Sequence, residues 1–192
     1  MINEEYEKPL HEIDRAEEMT SHFPMFVRDK TNWTFNENWV DIASDLEEAI
    51  LMAVMSHACQ RDKNGSPYIL HCLRVMMRGQ TDDERMVGVL HDILEDTDTE
   101  ARDLVIAEIP FHIVEAIVAL SHDSDNNEPR EQYYDRIKAN PLAYVVKGYD
   151  LDDNTSPERL ALINEEDKPR LIKKYRKAYK YLYGFIPEHL NE

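Results

Sequence analysis

Residues 86–98, Met-Val-Gly-Val-Leu-His-Asp-Ile-Leu-Glu-Asp-Thr-Asp, constrain this chain more than any other stretch. An apolar helical run ends there in imidazole and carboxylate. His91 and Glu95 are four apart, as are Asp92 and Asp96, and Asp92 and Glu95 are three apart, spacings that share a helix face. No Lys or Arg intervenes between Arg85 and Arg102. Negative charge left uncompensated beside an apolar run is costly unless a cation sits with it. The stretch is therefore expected to hold a divalent metal ion with a catalytic acid/base pair beside it.

Around that stretch the hydrophobic spacing is helical almost throughout. Leu46, Ala49, Ile50, Ala53, Val54, His57 and Ala58 recur at three and four, which puts His57 on a buried stripe. Residues 61–67 form a loop by composition, and a short helix is expected from about 68 to 78. Thr81 with Glu84 fits a capping box for a helix that runs on into 91–96. Further helices are expected over about 100–108, 110–121, 129–139, 142–150, 159–163 and 167–183, several of them opened by Pro. Strand patterns are almost absent and Gly numbers only 5, so the expected fold class is all-α. Residues 1–43 read as an N-terminal extension whose Trp33, Phe35 and Trp39 pack on the body. Residues 44–192 read as one domain, long enough to bury a core.

The net charge of −17 argues against a DNA- or RNA-binding protein, which needs a basic footprint. It also means that an anionic ligand would have to be drawn in locally. Two cysteines, Cys59 and Cys72, each inside an expected helix, make no disulfide framework and point to a reducing compartment. The start of the chain lacks a signal pattern, and the longest apolar run, 49–55, is far too short to span a bilayer. The expected location is cytoplasmic, with no membrane partner.

The histidines and acids that end or line apolar helices are His57, His91, Asp92 and Asp150. Two imidazoles and two carboxylates suit a borderline divalent ion such as Mn²⁺, Fe²⁺, Zn²⁺ or Co²⁺. The second His-Asp pair, His122-Asp123, lies in a polar loop without the apolar approach or the following acids, and is taken as a decoy. A His on one helix, a His-Asp pair on another and a later Asp resemble the HD phosphohydrolase superfamily. The strings His57-Ala-Cys-Gln-Arg61, Gly65-Ser-Pro-Tyr-Ile-Leu-His71, Leu90-His-Asp-Ile-Leu-Glu-Asp-Thr97 and Val146-Lys-Gly-Tyr-Asp150 with Asn154 narrow the likeness. Over about residues 44–180 they resemble the RelA/SpoT hydrolase domain, which removes the 3′-pyrophosphate of (p)ppGpp with Mn²⁺. The chain has no room for a synthetase half, so the likeness extends to the small stand-alone alarmone hydrolases.

That resemblance implies an HD-domain helical bundle. It makes His57, His91, Asp92 and Asp150 the ligands of one divalent ion, Mn²⁺ for preference. Glu95 and Asp96 match the catalytic acidic pair, and Asn154 a position near the nucleotide sugar. His71 matches a family histidine for which a structural role is as fitting as a functional one. Some positions depart from the family pattern. Cys59 stands where Gly is usual, Cys72 where Pro is usual, and Phe111-His112 replaces Phe-Gly. Asp45, Glu47 and Glu48 stand where the family has a guanine-contacting basic residue, which bears on base recognition.

Hydrolysis of such an ester needs an activated water, neutralised phosphate oxygens and a proton for the leaving oxygen. A metal can supply the first two. Glu95 is placed to take or orient the water's proton, with Asp96 sharing the task. Arg61 and Lys63, just after the His57 helix, and Lys147, three before Asp150, are the expected phosphate cations. The cations of 170–180 read as a solvated face opposite Leu171, Tyr175 and Leu182. Two other readings stand beside (p)ppGpp hydrolysis. One keeps the metal and changes the substrate to NADPH or a nucleoside phosphate. The other is a non-catalytic nucleotide-binding HD protein.

Overall fold

The computed structural model describes residues 26–28, 33–35, 45–123 and 126–191. The chain divides into two units between Ser44 and Asp45, and each is described by itself. In the first, β1 (Phe26–Arg28) and β2 (Trp33–Phe35) pair antiparallel, with Phe26 opposite Phe35, Val27 opposite Thr34 and Arg28 opposite Trp33. This ribbon was not expected from the sequence. Each strand is only three residues long, too short for a period of two to register, although aromatic and β-branched residues favour strands. The expected packing of the extension on the body lies outside the described residues.

The second unit is all-α among its described residues. Its elements are α1 (Asp45–Ser56), α2 (Ile69–Met76), α3 (Asp82–Leu90), α4 (Ile93–Asp96), α5 (Ala101–Ile106) and α6 (Phe111–Leu120). Then come α7 (Arg130–Ala139), α8 (Pro141–Asn154), α9 (Pro157–Leu162), α10 (Lys168–Tyr183) and a 3₁₀ turn, Glu188–Leu190. The middle of the bundle is α3, which packs on α1, α2, α6 and α8. Met86, Val87, Gly88, Val89 and Leu90 are all buried, because this half of α3 is apolar all round and must be enclosed on every side.

Local chemistry sets the helix ends. The Thr81 hydroxyl accepts the Glu84 N–H at 3.2 Å, and the Glu84 carboxylate accepts the Gln80 N–H at 2.7 Å. This is the expected capping box with its return bond shifted by one residue. Asn140 caps α8 by accepting the Ala143 N–H at 3.0 Å, with Pro141 at the first helical position.

Three differences from the sequence reading shape the site. First, α3 stops at Leu90, and Asp92, at φ −103° and ψ 1°, separates it from α4. Neighbouring residues of a continuous helix point about 100° apart; the break lets His91 and Asp92 face one point. Second, α8 runs through Asn154, about a turn beyond the expected end, so Asp150, Asp153 and Asn154 share one helix face. Third, Cys59 is not helical: α1 ends at Ser56, and Cys59 is exposed at φ 65°. Left-handed backbone favours Gly, and here Cys59 adopts it.

α2 and α3 approach closely at Gly88. A Cβ on Gly88 would sit 3.0 Å from Met76 Cα and 3.1 Å from Met76 N. Gly88→Ala must therefore push α2 off α3, and overpacking of this kind costs roughly 1–3 kcal/mol. Urea unfolding of the variant should give a free energy lower by that amount and an earlier midpoint; an unchanged midpoint would mean that the two helices separate freely.

Candidate metal centre and its cavity

The site grows from the end of α3. His91 donates its Nδ1–H to the Gly88 carbonyl at 2.9 Å, which in the neutral ring leaves Nε2 as a lone pair. That nitrogen is buried without a hydrogen-bond partner, 2.8 Å from Asp92 Oδ2 and 3.6 Å from Asp150 Oδ1. His71, on α2, lies against it with ring centroids 5.1 Å apart. Its Nε2 is 3.2 Å from Asp150 Oδ1 and 3.6 Å from Asp92 Oδ2. Ligand atoms of His71, His91 and Asp92 all lie within 4.8 Å of one another.

Asp150 enters from α8 and is held twice. Lys147 Nζ donates to Oδ2 at 2.7 Å, and the Asn154 amide donates to Oδ1 at 2.5 Å. Asn154, expected near a nucleotide sugar, thus spends its amide on a carboxylate of the centre. Tyr68 donates its hydroxyl to Asp92 Oδ2 at 2.5 Å.

His57 is buried in the turn after α1. Its Nδ1–H donates to Gln60 Oε1 at 2.6 Å, and its Nε2 is a second buried nitrogen without a partner. Its ring lies 5.1 Å from that of Tyr68, so Tyr68 connects His57 to Asp92. Of the four expected ligands, the structure brings Asp92 and Asp150 each against His91 and sets His57 beside them across Tyr68. It also places His71 in the cluster.

Burial opposes charge on His91, Asp92, Lys147 and Asp150, yet neighbours reverse it at each of them. His91 holds Asp92 below the usual carboxylate range, and Lys147 does the same for Asp150, each against burial. Lys147 is in turn pushed above its ordinary value by Asp150, again against burial. Asp96 moves the other way: burial raises it, and the Asp92 charge raises it further. Glu95 is exposed at the end of α4, and its Oε2 accepts the His122 N–H at 3.1 Å. The ring of His122 donates elsewhere, to the Glu128 carbonyl at 3.0 Å. The second His-Asp pair therefore touches the site through its backbone alone.

Asp92, Glu95, Asp96 and Asp150 open into a cavity of about 360 Å³. All four expected substrate contacts, Arg61, Lys63, Lys147 and Asn154, line it. So do Arg130, Arg159 and Lys174, which the sequence reading missed, with Tyr133, Tyr134 and Tyr175. Lys174 had been read as part of a solvated face. It falls within the spacing Leu171, Lys174, Tyr175, Ala178, which is the inward stripe of α10 and was legible as such. Against the carboxylates of Asp62, Asp92, Glu95, Asp96 and Asp150, the lining sets six cationic side chains. A chain of net charge −17 thus encloses a cavity close to electrically balanced before any ion binds.

The described helices of the second unit form an α-helical bundle. Among solved structures, one described as a metazoan ortholog of SpoT that hydrolyses ppGpp and plays a role in starvation responses superposes with a TM-score of 0.63. It is 19% identical and covers 78% of this chain and 91% of its own, a likeness that shows the fold. Among curated relatives, the guanosine-3′,5′-bis(diphosphate) 3′-pyrophosphohydrolase of Aquifex aeolicus (strain VF5) is 28% identical over 146 residues. That match takes in 71% of this chain and 21% of the relative. A probable enzyme of the same name from Synechocystis sp. (strain ATCC 27184 / PCC 6803 / Kazusa) is 39% identical over 79 residues, 38% of this chain and 10% of the relative. This chain spans about a fifth or less of the length of those relatives. No protein-family model matches it. In sequence and in fold the chain is similar to RelA/SpoT-type hydrolases.

The Lys147–Asp150 pair is mostly buried, and removing one partner of such a pair strands the other charge at a cost of about 3 kcal/mol. Lys147→Met should lose about that much stability when metal-free, and added Mn²⁺ should recover part of it. Thermal melts with and without Mn²⁺ measure both; a variant as stable as the parent would show that water already screens the pair.

Proposed function

We propose that this chain is a metal-dependent hydrolase that removes the 3′-pyrophosphate of (p)ppGpp, with Mn²⁺ as its ion. One observation carries the metal: the lone-pair nitrogen of His91 is buried and unpartnered, facing carboxylates of Asp92 and Asp150. The donor set of imidazole and carboxylate fits Mn²⁺ or another borderline divalent ion. His91, Asp92 and Asp150 would hold it, with His57 beside them. When bound, the ion supplies Lewis acidity toward a phosphate oxygen and a water of lowered pKa.

The chain's own groups do the rest. Glu95, exposed at the cavity wall and steadied by the His122 N–H, takes the proton of the attacking water. Asp96, whose carboxyl is raised by burial and by Asp92, is suited to holding a proton for the departing 3′-oxygen. The water oxygen bonds to the 3′ α-phosphorus, the bond from phosphorus to O3′ breaks, and pyrophosphate leaves with GDP or GTP. Arg61, Lys63 and Lys147 neutralise phosphate oxygens, joined by Arg130, Arg159 and Lys174. The sequence similarity to enzymes named for this reaction supports the substrate.

A second reading keeps the centre and changes the nucleotide. It is favoured by the first turn of α1, where Asp45, Glu47 and Glu48 stand in place of a guanine-contacting cation. NADPH or a nucleoside phosphate would then be the substrate. A non-catalytic nucleotide-binding role leaves Glu95 and Asp96 beside the centre without a task. No helix among the described residues is long and apolar enough to cross a membrane.

Glu95→Gln keeps the size of the side chain and its bond to His122 but removes the base. It should retain the metal and lose at least about a hundredfold in kcat. Loss of metal as well would make Glu95 a ligand or a support. With Mn²⁺ and equal concentrations of ppGpp, NADPH and dNMPs, pyrophosphate should appear from ppGpp; inorganic phosphate from NADPH would select the second reading.

A further inference from the structure

Between two of the cavity's cations the chain places an acid. Arg61, Asp62 and Lys63 all line the cavity, on the loop that leaves the His57 turn. The side chains of Arg61 and Lys63 make no hydrogen bond or ion pair with another described residue, so both charges are free for a ligand. A carboxylate between them has the wrong sign for a phosphate site and, by charge alone, weakens the binding of an anion. What that carboxylate touches accounts for its place.

The Asp62 side chain is mostly buried, and its two oxygens have different tasks. Oδ1 accepts the Asn64 N–H at 2.9 Å and the Ser66 N–H at 3.0 Å, which closes the loop on itself. The backbone reinforces this: the Asp62 N–H donates to the Ser66 carbonyl at 2.9 Å, and the Tyr68 N–H to the Gln60 carbonyl at 3.0 Å. Gly65, at φ 80°, makes the reversal that these bonds need. Oδ2 faces Arg159 on α9, 3.5 Å from Nη1. The same guanidinium reaches α8 twice, with Nε 3.5 Å from Asp153 Oδ2 and Nη2 3.4 Å from Asn154 Oδ1. One arginine thus ties the loop to the helix that carries Asp150 and offsets the charge of Asp62.

We propose that Asp62 is a positioning residue for phosphate recognition: Oδ1 closes the 61–67 loop, Oδ2 moors it to Arg159, and Arg61 and Lys63 are thereby held toward the ligand. This rests on the reading of the cavity as a nucleotide-phosphate site, and adds to it a residue of the ligand's own sign. On a loose loop, two long cationic side chains and the backbone between them would have to be ordered at each binding event. A moored loop has met that entropic cost on folding.

The test is hydrolysis of ppGpp by the full chain with Mn²⁺, with KM and kcat read separately. Removing a carboxylate from an anion site should by charge alone tighten binding; loss of the mooring has the opposite sign. Asp62→Ala should raise KM about tenfold and leave kcat within about twofold of the parent, as loss of uniform binding does. Asp62→Asn keeps an oxygen for the two N–H groups and should recover most of the loss. Arg61→Ala should raise KM much less in the Asp62→Ala background than in the parent, because the two residues act as a unit. A lower or unchanged KM for Asp62→Ala, an Asn variant as poor as the Ala variant, or additive effects with Arg61→Ala would each overturn the proposal and leave the hydrolase reading standing. If the parent cleaves no ppGpp, calorimetric binding of ppGpp replaces KM. Binding about tenfold weaker in Asp62→Ala then upholds the mooring while the hydrolase reading falls, and parental or tighter binding overturns it. A parent that neither cleaves nor binds ppGpp overturns both. Should Asp62→Ala fail to fold, hydrogen exchange of the parent decides: the Asn64 and Ser66 amides must be protected, and exchange at the rate of a free chain overturns the mooring.

Discussion

Carboxylates buried face to face with imidazole lone pairs cannot stay as they are without positive charge between them. At the end of α3, Asp92 and Asp150 are both held ionised, Asp92 by His91 and Asp150 chiefly by Lys147, which sits on its Oδ2. The cost of this arrangement in a low-dielectric interior is the reason to expect an ion there. Much of the second unit can be read as the means of enforcing it. The C-terminal half of α3, Met86–Leu90, is buried on all sides and cannot turn away. The break at Asp92 aims two neighbouring side chains at one point, and the extra turn of α8 brings Asp150 in with its own two restraints.

Close packing transmits that restraint. Where Gly88 lets α2 and α3 meet backbone to backbone, the same residue's carbonyl takes the proton of His91 Nδ1. One position thus sets both the distance between helices and the tautomer of a ligand. The turn after α1 works in a similar way at lower cost. Left-handed backbone at Cys59 turns the chain so that Gln60 can hold His57 by Nδ1, and the Gln60 amide reaches the Asp96 carbonyl at 3.5 Å.

Much of this was legible in the sequence, because the signals are local. Apolar spacing and caps gave the helices, and the run from Arg85 to Arg102 without a cation gave the acidic cluster. What escaped were features set by backbone geometry or by distant parts of the chain. A continuous helix through 91–96 would have served the spacing equally well, so the break at Asp92 left no trace in periodicity. His71 reads alone as a histidine of either structural or functional role; its bond to Asp153 spans 82 residues. Arg130 and Arg159 reach the cavity from separate helices, and no local pattern marks either one. Lys174 was legible on the inward stripe of α10, but charge outweighed spacing in the reading. The β1–β2 ribbon was too short to show its period.

The acidity of the whole chain and the balance of its cavity are compatible, because fields at the surface are screened within about 10 Å at ordinary salt. An anionic nucleotide would feel the local cations and the ion more than the distant carboxylates. Everything in this account turns on that ion. The most direct measurement is an anomalous difference map, collected at the manganese edge, from crystals grown with Mn²⁺. The account predicts one strong peak within about 2.3 Å of His91 Nε2 and of carboxylate oxygens of Asp92 and Asp150. An empty centre, with manganese only on surface carboxylates and these side chains still facing one another, would contradict it.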